Sequence, residues 1–303
     1  MRVVIAISLL TLAGCTRLGF TTVPDAEPPG DMGPDAAAVP GTWVELPPAT
    51  FQMGSPADEP CRSSQDDEDL HPVTLTGGLE LQATEVTQEQ FRALMGYNPS
   101  HFSPCETCPV EMVTWHEATA YCNALSALKG LSPCYRCVGS GPTMTCDPVE
   151  AGPWIYSCAG YRLPTEAEWE RACRGGTQTA FYSGSPDQTK CSECTALDAN
   201  ADSIAWYCAN SGDATRPVGQ KQANAHGLFD MAGNVWEWCH DPYQQHLGSS
   251  PVTDPAGSPA PKAVARGGAW LNNTRALRAA QRLVVDTVYR NNGVGFRCAR
   301  SRD

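Results

Sequence analysis

An α+β domain of short elements joined by irregular connections is what this sequence predicts. Three stretches carry helix start and stop chemistry, the segments between them alternate only briefly, and 27 glycines, 25 prolines and 15 cysteines are spread over 303 residues. Gly and Pro at that density break long periodic runs, so loops and short strands must account for much of the chain. The cysteines suit a fold held by cross-links.

The first helix starts at Thr87, with Gln90 three positions on to complete a capping box, and runs through Phe91 and Leu94 to Gly96. The second starts at Thr114 with Glu117 at the box position, turns Ala118, Tyr121, Cys122 and Leu125 inward, and stops near Gly130. The third starts at Thr165 with Glu168 at the box position, carries Trp169 and Ala172, and ends at Gly175-Gly176. In each, the Thr hydroxyl accepts from an orphan backbone N–H, the acid or amide reaches back, and a glycine takes the left-handed exit. Val73 to Leu75, Leu79 to Leu81 and Asn234 to Trp238 read as short strands. No repeat of fixed period appears, against a solenoid or propeller.

The amino terminus has a different texture. Arg2, the apolar run Val3 to Leu12 and the small residues before Cys15 form the pattern of an exported protein's signal peptide. The run is too short to span a bilayer. Leu12-Ala13-Gly14-Cys15 resembles the bacterial lipobox, so residues 1–14 are expected to be removed and Cys15 lipidated. Residues 15–40, rich in Pro, Asp, Ala and Gly, then read as a disordered tether, and 41–303 as one folded domain. The expected location is the bacterial cell envelope, periplasmic or surface-facing.

A net charge of −12 removes nucleic acid from the expected partners, because phosphate neutralisation needs clustered Lys and Arg. The acidic run Asp66 to Asp69 reads as a solvated loop. With Cys15 set aside, 14 cysteines remain in a chain sent to an oxidising compartment, so disulfides are the first reading. That reading extends to the pairs Cys105/Cys108, Cys134/Cys137 and Cys191/Cys194, which zinc would otherwise suit.

Six segments in order are more specific: Phe51 to Ser55, Pro109 to Trp115, Gly160 to Glu170, Gly227 to Trp238, Arg266-Gly267-Gly268 and Gly295 to Cys298. Together they resemble the formylglycine-generating enzyme family, also called the sulfatase-modifying factor family. The resemblance implies an irregular fold related to C-type lectins. It also implies, for the best known members, oxidation of a cysteine within Cys-x-Pro-x-Arg to formylglycine by copper and oxygen. Other relatives only bind ligands, so family alone does not fix activity.

The copper cysteines of that pattern lie five residues apart after Arg-Gly-Gly, and here they fall on Thr274 and Ala279. Neither offers the soft sulfur that copper(I) needs, so copper and the usual oxidase activity are not expected. The resemblance implies a Cys173–Cys298 disulfide and leaves the partner of Cys239 open. It also implies a structural calcium held by Asp230, Gly233, Val235 and Glu237, hard oxygen donors on a short turn. A second family calcium position falls near Asn200 and Asn210, where an aspartate has become Asn210. None of the six histidines is spaced as a metal ligand, and in His240-Asp241 adjacency points the two side chains apart. Arg275, Arg278 and Arg282 are candidates to line the family's substrate groove, where a guanidinium suits an anionic ligand. The expected function is a lipid-anchored monomer that binds a peptide, glycan or envelope protein there. An oxidase with relocated cysteines, or a non-haem metal enzyme, is the alternative.

Overall fold

The computed structural model describes residues 41–303 apart from 63–66, 188, 190, 258–259 and 303. The expected signal peptide, the Cys15 lipidation site and the tether lie outside the described residues. Three helices form where the caps predict: α1 (Gln88–Met95), α2 (Trp115–Leu128) and α3 (Glu166–Arg174), each with both halves of its capping box hydrogen-bonded. A fourth, α4 (Ala199–Ile204), is capped by the Asp198 side chain and at six residues is too short to show a period.

The strands are short. They are β1 (Trp43–Leu46), β2 (Ala49–Met53), β3 (His71–Leu75), β4 (Gly78–Gln82), β5 (Tyr135–Val138), β6 (Thr145–Pro148) and β7 (Tyr161–Arg162). There follow β8 (Trp236–Pro242), β9 (Val252–Thr253), β10 (Lys262–Arg266), β11 (Arg282–Asp286), β12 (Val294–Gly295) and β13 (Ala299–Arg302). One sheet runs β1-β4-β13-β7 and another β11-β10-β8-β12, with a smaller β2-β3-β9 sheet and a β5-β6 hairpin. β3 and β4 follow one another closely yet join different sheets, β3 against β2 and β4 between β1 and β13. The last strand thereby lies between β4 and β7, and the Gly295 to Cys298 motif that leads into it is buried.

Apolar burial divides the interior. One cluster gathers Trp115, Tyr121, Cys122, Tyr135, Trp238, Phe296 and Cys298; another gathers Leu79, Leu81, Trp169, Cys173, Met231, Cys239 and Ala279. α3 is buried along its whole length although it carries Glu166, Glu168, Glu170, Arg171 and Arg174. Buried charge is costly unless paired, and here Glu168 takes Arg162 in a two-pronged contact at 2.7 Å on each oxygen. Glu170 takes Arg174 at 2.7 Å and also Arg266.

Among the described residues five disulfides form: Cys61–Cys191, Cys105–Cys108, Cys134–Cys158, Cys137–Cys146 and Cys194–Cys208. Of the three Cys-x-x-Cys pairs only Cys105/Cys108 closes on itself; the other two split toward distant partners. The Cys173–Cys298 bond implied by the resemblance is not present, and both are free thiols. α3 turns Cys173 toward the Met231 carbonyl, 3.4 Å away in one core cluster, while Cys298 faces Cys122 in the other.

Candidate functional site

The Arg-Gly-Gly segment begins at the end of β10. Gly267 and Gly268 have φ of 100° and 78°, and a Cβ on Gly268 would lie 2.8 Å from Leu277 and 2.9 Å from the Ala276 carbonyl. Only glycine lets the chain double back so tightly into the short 3-10 turn Thr274–Leu277. Thr274 and Ala279 are each 1% exposed. Copper does not fit these positions, since they supply no sulfur and face the interior.

The arginines after the turn do not line a groove as expected. Arg278 donates to Glu59 at 2.8 Å, to both oxygens of Glu68 at 2.7 and 2.6 Å, and to Gln281 at 3.0 Å. Arg282 grips Glu166 at 2.6 and 2.9 Å and reaches Asp67 at 3.1 Å. Both guanidiniums are buried, and their carboxylate partners hold them above the usual arginine range against the opposing effect of burial. Arg275 is half-buried and touches the Ser192 hydroxyl at 3.4 Å. The acidic run is corrected by the same contacts, because Glu68 is a buried partner of Arg278 and no solvated face.

Immediately beyond Arg282 the surface changes character. An open groove of about 430 Å³ is lined by residues that include Trp236, Leu271, Asn272, Val284, Tyr289 and Asn291. Leu271, Val284 and Tyr289 are 44%, 41% and 53% exposed, large apolar side chains left in water along one cleft. Asn272 is fixed there, its Oδ1 accepting from Trp236 Nε1 at 2.8 Å and from Ala269 N at 3.0 Å. Asp286 is the one charged group of the lining, which holds no arginine and no cysteine. The β11 side of the groove is a sheet edge, since β11 pairs only with β10.

A second cavity of about 280 Å³ brings together Trp115, His116, Asp147 and His240. His240 Nδ1 lies 3.2 Å from the Tyr135 hydroxyl, and burial pushes its pKa down to about 3. It is therefore neutral at physiological pH. Asp241 points the other way, accepting from Glu166 N at 2.6 Å and Gly257 N at 2.9 Å, and burial pushes it up to about 7. Among the described residues no group of three or more His, Cys, Asp or Glu side chains could hold a metal ion.

The turn expected to hold calcium is built by left-handed residues, Asp230 at φ 54°, Gly233 at φ 82° and Asn234 at φ 58°. A Cβ on Gly233 would run into the Trp206 carbonyl. Asp230 Oδ2 accepts from Gly219 N at 2.6 Å, and its buried Oδ1 has no partner. Glu237 does not fit as a calcium ligand in this arrangement. Its two oxygens are taken by Arg297 at 2.7 Å each, and Oε2 also accepts from Trp169 Nε1 at 2.8 Å. Val235 is a buried core residue. What the sequence reading missed is Glu85, fully buried with both carboxylate oxygens unpartnered. Burial raises its pKa well above the usual range, and the neighbouring charges of Asp230 and Glu237 raise it further. An acid set between Ala83 and Val86 was the available signal. At the second calcium position Asn210 is structural, its amide on Asp202 at 2.8 Å and on the Ala205 carbonyl at 2.9 Å.

Known proteins resemble this chain in sequence and fold. LppX of Paenibacillus barcinonensis, named a chaperone protein, is 39% identical over 183 residues, 51% of this chain and 59% of the relative. The formylglycine-generating enzyme of Streptomyces coelicolor is 37% identical over 153 residues, 48% of each chain. This chain spans about half the length of these curated relatives. Among solved structures, Treponema denticola variable protein 1 superposes with a TM-score of 0.70 at 31% identity, over 86% of this chain and 95% of that one. Residues 28–302 match the sulfatase-modifying factor enzyme 1-like domain, a span that takes in every motif from Phe51 to Cys298, and the chain belongs to that family.

Proposed function

We propose that this domain is a binding module that holds an extended peptide segment of an envelope protein in the groove lined by Trp236, Leu271 and Tyr289. The carrying observation is that the copper positions are buried Thr274 and Ala279, while an open groove without cysteine runs beside them along a sheet edge. An edge strand offers main-chain hydrogen bonds to an added strand, and exposed apolar side chains give it specificity. A chaperone-named relative supports a polypeptide ligand. Export, the lipid on Cys15 and action as a monomer belong to the same proposal. The five disulfides support an oxidising compartment.

The test uses residues 41–303 against a displayed random-peptide library and a glycan array in parallel. Enriched peptides should lose affinity in a Leu271→Ala/Tyr289→Ala variant. Enrichment on glycans alone turns the reading to a lectin, and peptides retained by the variant place the site elsewhere. Conversion of a Cys-x-Pro-x-Arg peptide to its aldehyde with copper(I) and oxygen would overturn the proposal in favour of the oxidase.

Calcium enters through the Asp230 turn, favoured by the three unpartnered carboxylate oxygens of Asp230 and Glu85. Six to eight hard oxygens suit the ion, so backbone carbonyls of the turn, with Gly233 and Val235 among them, complete the set, and Glu85 stands in for the expected Glu237. Calcium should raise the thermal midpoint over a chelated control, and Glu85→Gln or Asp230→Asn should abolish that rise. An equal rise in both variants would remove the site.

A further inference from the structure

We propose that the cleft between α3, β9 and the end of β8 binds a primary alkylammonium group, with Asp241 supplying the countercharge and His71 a further hydrogen-bond acceptor. The cleft holds about 210 Å³, and Met53, Leu247, Val252, Pro255 and Ala256 make much of its wall apolar. Asp241 is buried, and its carboxylate accepts from two backbone N–H groups, Glu166 N at 2.6 Å on one oxygen and Gly257 N at 2.9 Å on the other. Among the described residues no arginine, lysine or histidine pairs with it, and each oxygen keeps a lone pair to offer. The buried carboxylates beside it are matched. Glu166 takes Arg282 at 2.6 Å and Arg266 at 3.2 Å, and Glu168 takes Arg162 at 2.7 Å. Those two α3-facing arginines are balanced in turn, Arg282 also by Asp67 and Arg266 also by Glu170. Asp241 is thus the acid here whose charge finds no cation, which is costly for a buried group. Burial above all pushes its pKa up to about 7.

His71 lines the same cleft and is 2% exposed. Its Nδ1 lies 2.7 Å from the Asp69 carbonyl. A carbonyl only accepts, so Nδ1 carries the proton and the neutral ring keeps its lone pair on Nε2, to which no described residue donates. Asp69 also shapes the rim, its Oδ2 accepting from Leu247 N and Gly248 N at 3.1 Å each. The Tyr156 hydroxyl donates to the Pro255 carbonyl at 2.7 Å and fixes another part of the wall. An ammonium carries three donors and no acceptor, which answers a carboxylate and an imidazole nitrogen that both accept. Apolar walls suit an alkyl stem better than a hydrated metal ion, and among the described residues no group of three or more His, Cys, Asp or Glu side chains could hold a metal. A lysine side chain of a partner polypeptide and a free small amine share this chemistry. The inference is independent of the peptide groove, since the two share no lining residue.

The experiment titrates the purified protein by calorimetry with n-butylammonium and with Nα-acetyl-lysine methylamide, and uses n-butanol and tetramethylammonium as controls. Asp241 must ionise to accept the ammonium, so at about pH 6 binding should release about one proton to the buffer, read from the heats in buffers of different ionisation enthalpy. Asp241→Asn should weaken binding about 30-fold or more and remove the proton release. Val252→Trp fills the cleft and leaves both acceptors in place. It should abolish binding too, and it keeps the test open if Asp241→Asn fails to fold. Binding of the lysine amide assigns the site to a partner polypeptide, and binding of butylammonium alone assigns it to a free amine. Butanol or tetramethylammonium binding as well as the amines, binding without proton release, or wild-type affinity in folded Val252→Trp would overturn the proposal. So would silence from both amines, which leaves the peptide reading of the groove untouched.

Discussion

Two neighbouring stretches on either side of Arg282 use their side chains in opposite ways. From Arg266 to Arg282 three guanidiniums, those of Arg266, Arg278 and Arg282, point inward and are neutralised by Glu59, Glu68, Glu166, Asp67 and Glu170, while Arg275 stays half-buried on the Ser192 hydroxyl. From Leu283 to Val294 the chain carries one lining carboxylate, Asp286, and presents apolar and amide groups to an open groove. In this acidic chain Arg266, Arg278, Arg282 and Arg297 are core material, and the groove lining carries a single charged group, Asp286. Charge clustering in sequence pointed to the wrong half. What separates the halves is whether carboxylates from α3 and from the loop before β3 reach them.

The sharpest way to disturb the first stretch is Arg278→Ala. It strands Glu59 and Glu68 in the interior, and removing one partner of a buried ion pair costs about 3–5 kcal/mol. Unfolding free energies of wild type and variant from urea titrations should differ by that amount. A variant of unchanged stability that loses peptide affinity would return Arg278 to the groove.

The pair His240-Asp241 should show a smaller, pH-dependent effect. His240 falls from 6.5 to about 3 on folding, so its contribution to stability is gained as pH rises from 3 toward 6.5. Asp241 rises from 3.8 to about 7, so the folded state keeps a proton that the unfolded chain releases, and stability is lost as pH rises over that interval. In wild type the two slopes oppose each other between about pH 4 and 6.5. Asp241→Asn removes one of them. Its stability should climb relative to wild type by about 1.4 kcal/mol per pH unit in that window. Denaturant midpoints at several pH values read this directly, and parallel curves for the two proteins would reject the opposed-titration account.

How much of this was legible in the chain follows from the range of the interactions. The three helices were, because Thr87/Gln90, Thr114/Glu117 and Thr165/Glu168 act over three residues and find the same partners in any fold. The strands at 73–75 and 79–81 were legible as strands, but their assignment to different sheets depends on β13, more than 200 residues away. The neighbour of Cys298 and the burial of Arg278 were not legible for the same reason. Each is set by a side chain distant in sequence, Cys122 in one case and Glu68 in the other. The groove was invisible because its members, Trp236, Leu271 and Tyr289, share no spacing and carry no charge pattern.

The groove predictions are the mildest in stability and the most direct for function. Leu271 and Tyr289 are exposed, so Leu271→Ala/Tyr289→Ala should change the unfolding free energy by no more than about 0.5 kcal/mol per site. An aromatic anchor in a binding cleft typically contributes about 2 kcal/mol or more, so peptide affinity should fall about 30-fold or further. Arg275→Ala separates the two stretches most finely. Its guanidinium is half-buried and reaches the Ser192 hydroxyl at 3.4 Å, and it is absent from the groove lining. Both midpoint and affinity should stay at their wild-type values within error. A loss of affinity alone, with the midpoint unmoved and the loss suppressed at high salt, would extend the recognition surface back across Arg282. It would also make the ligand an anion that the groove lining by itself does not explain.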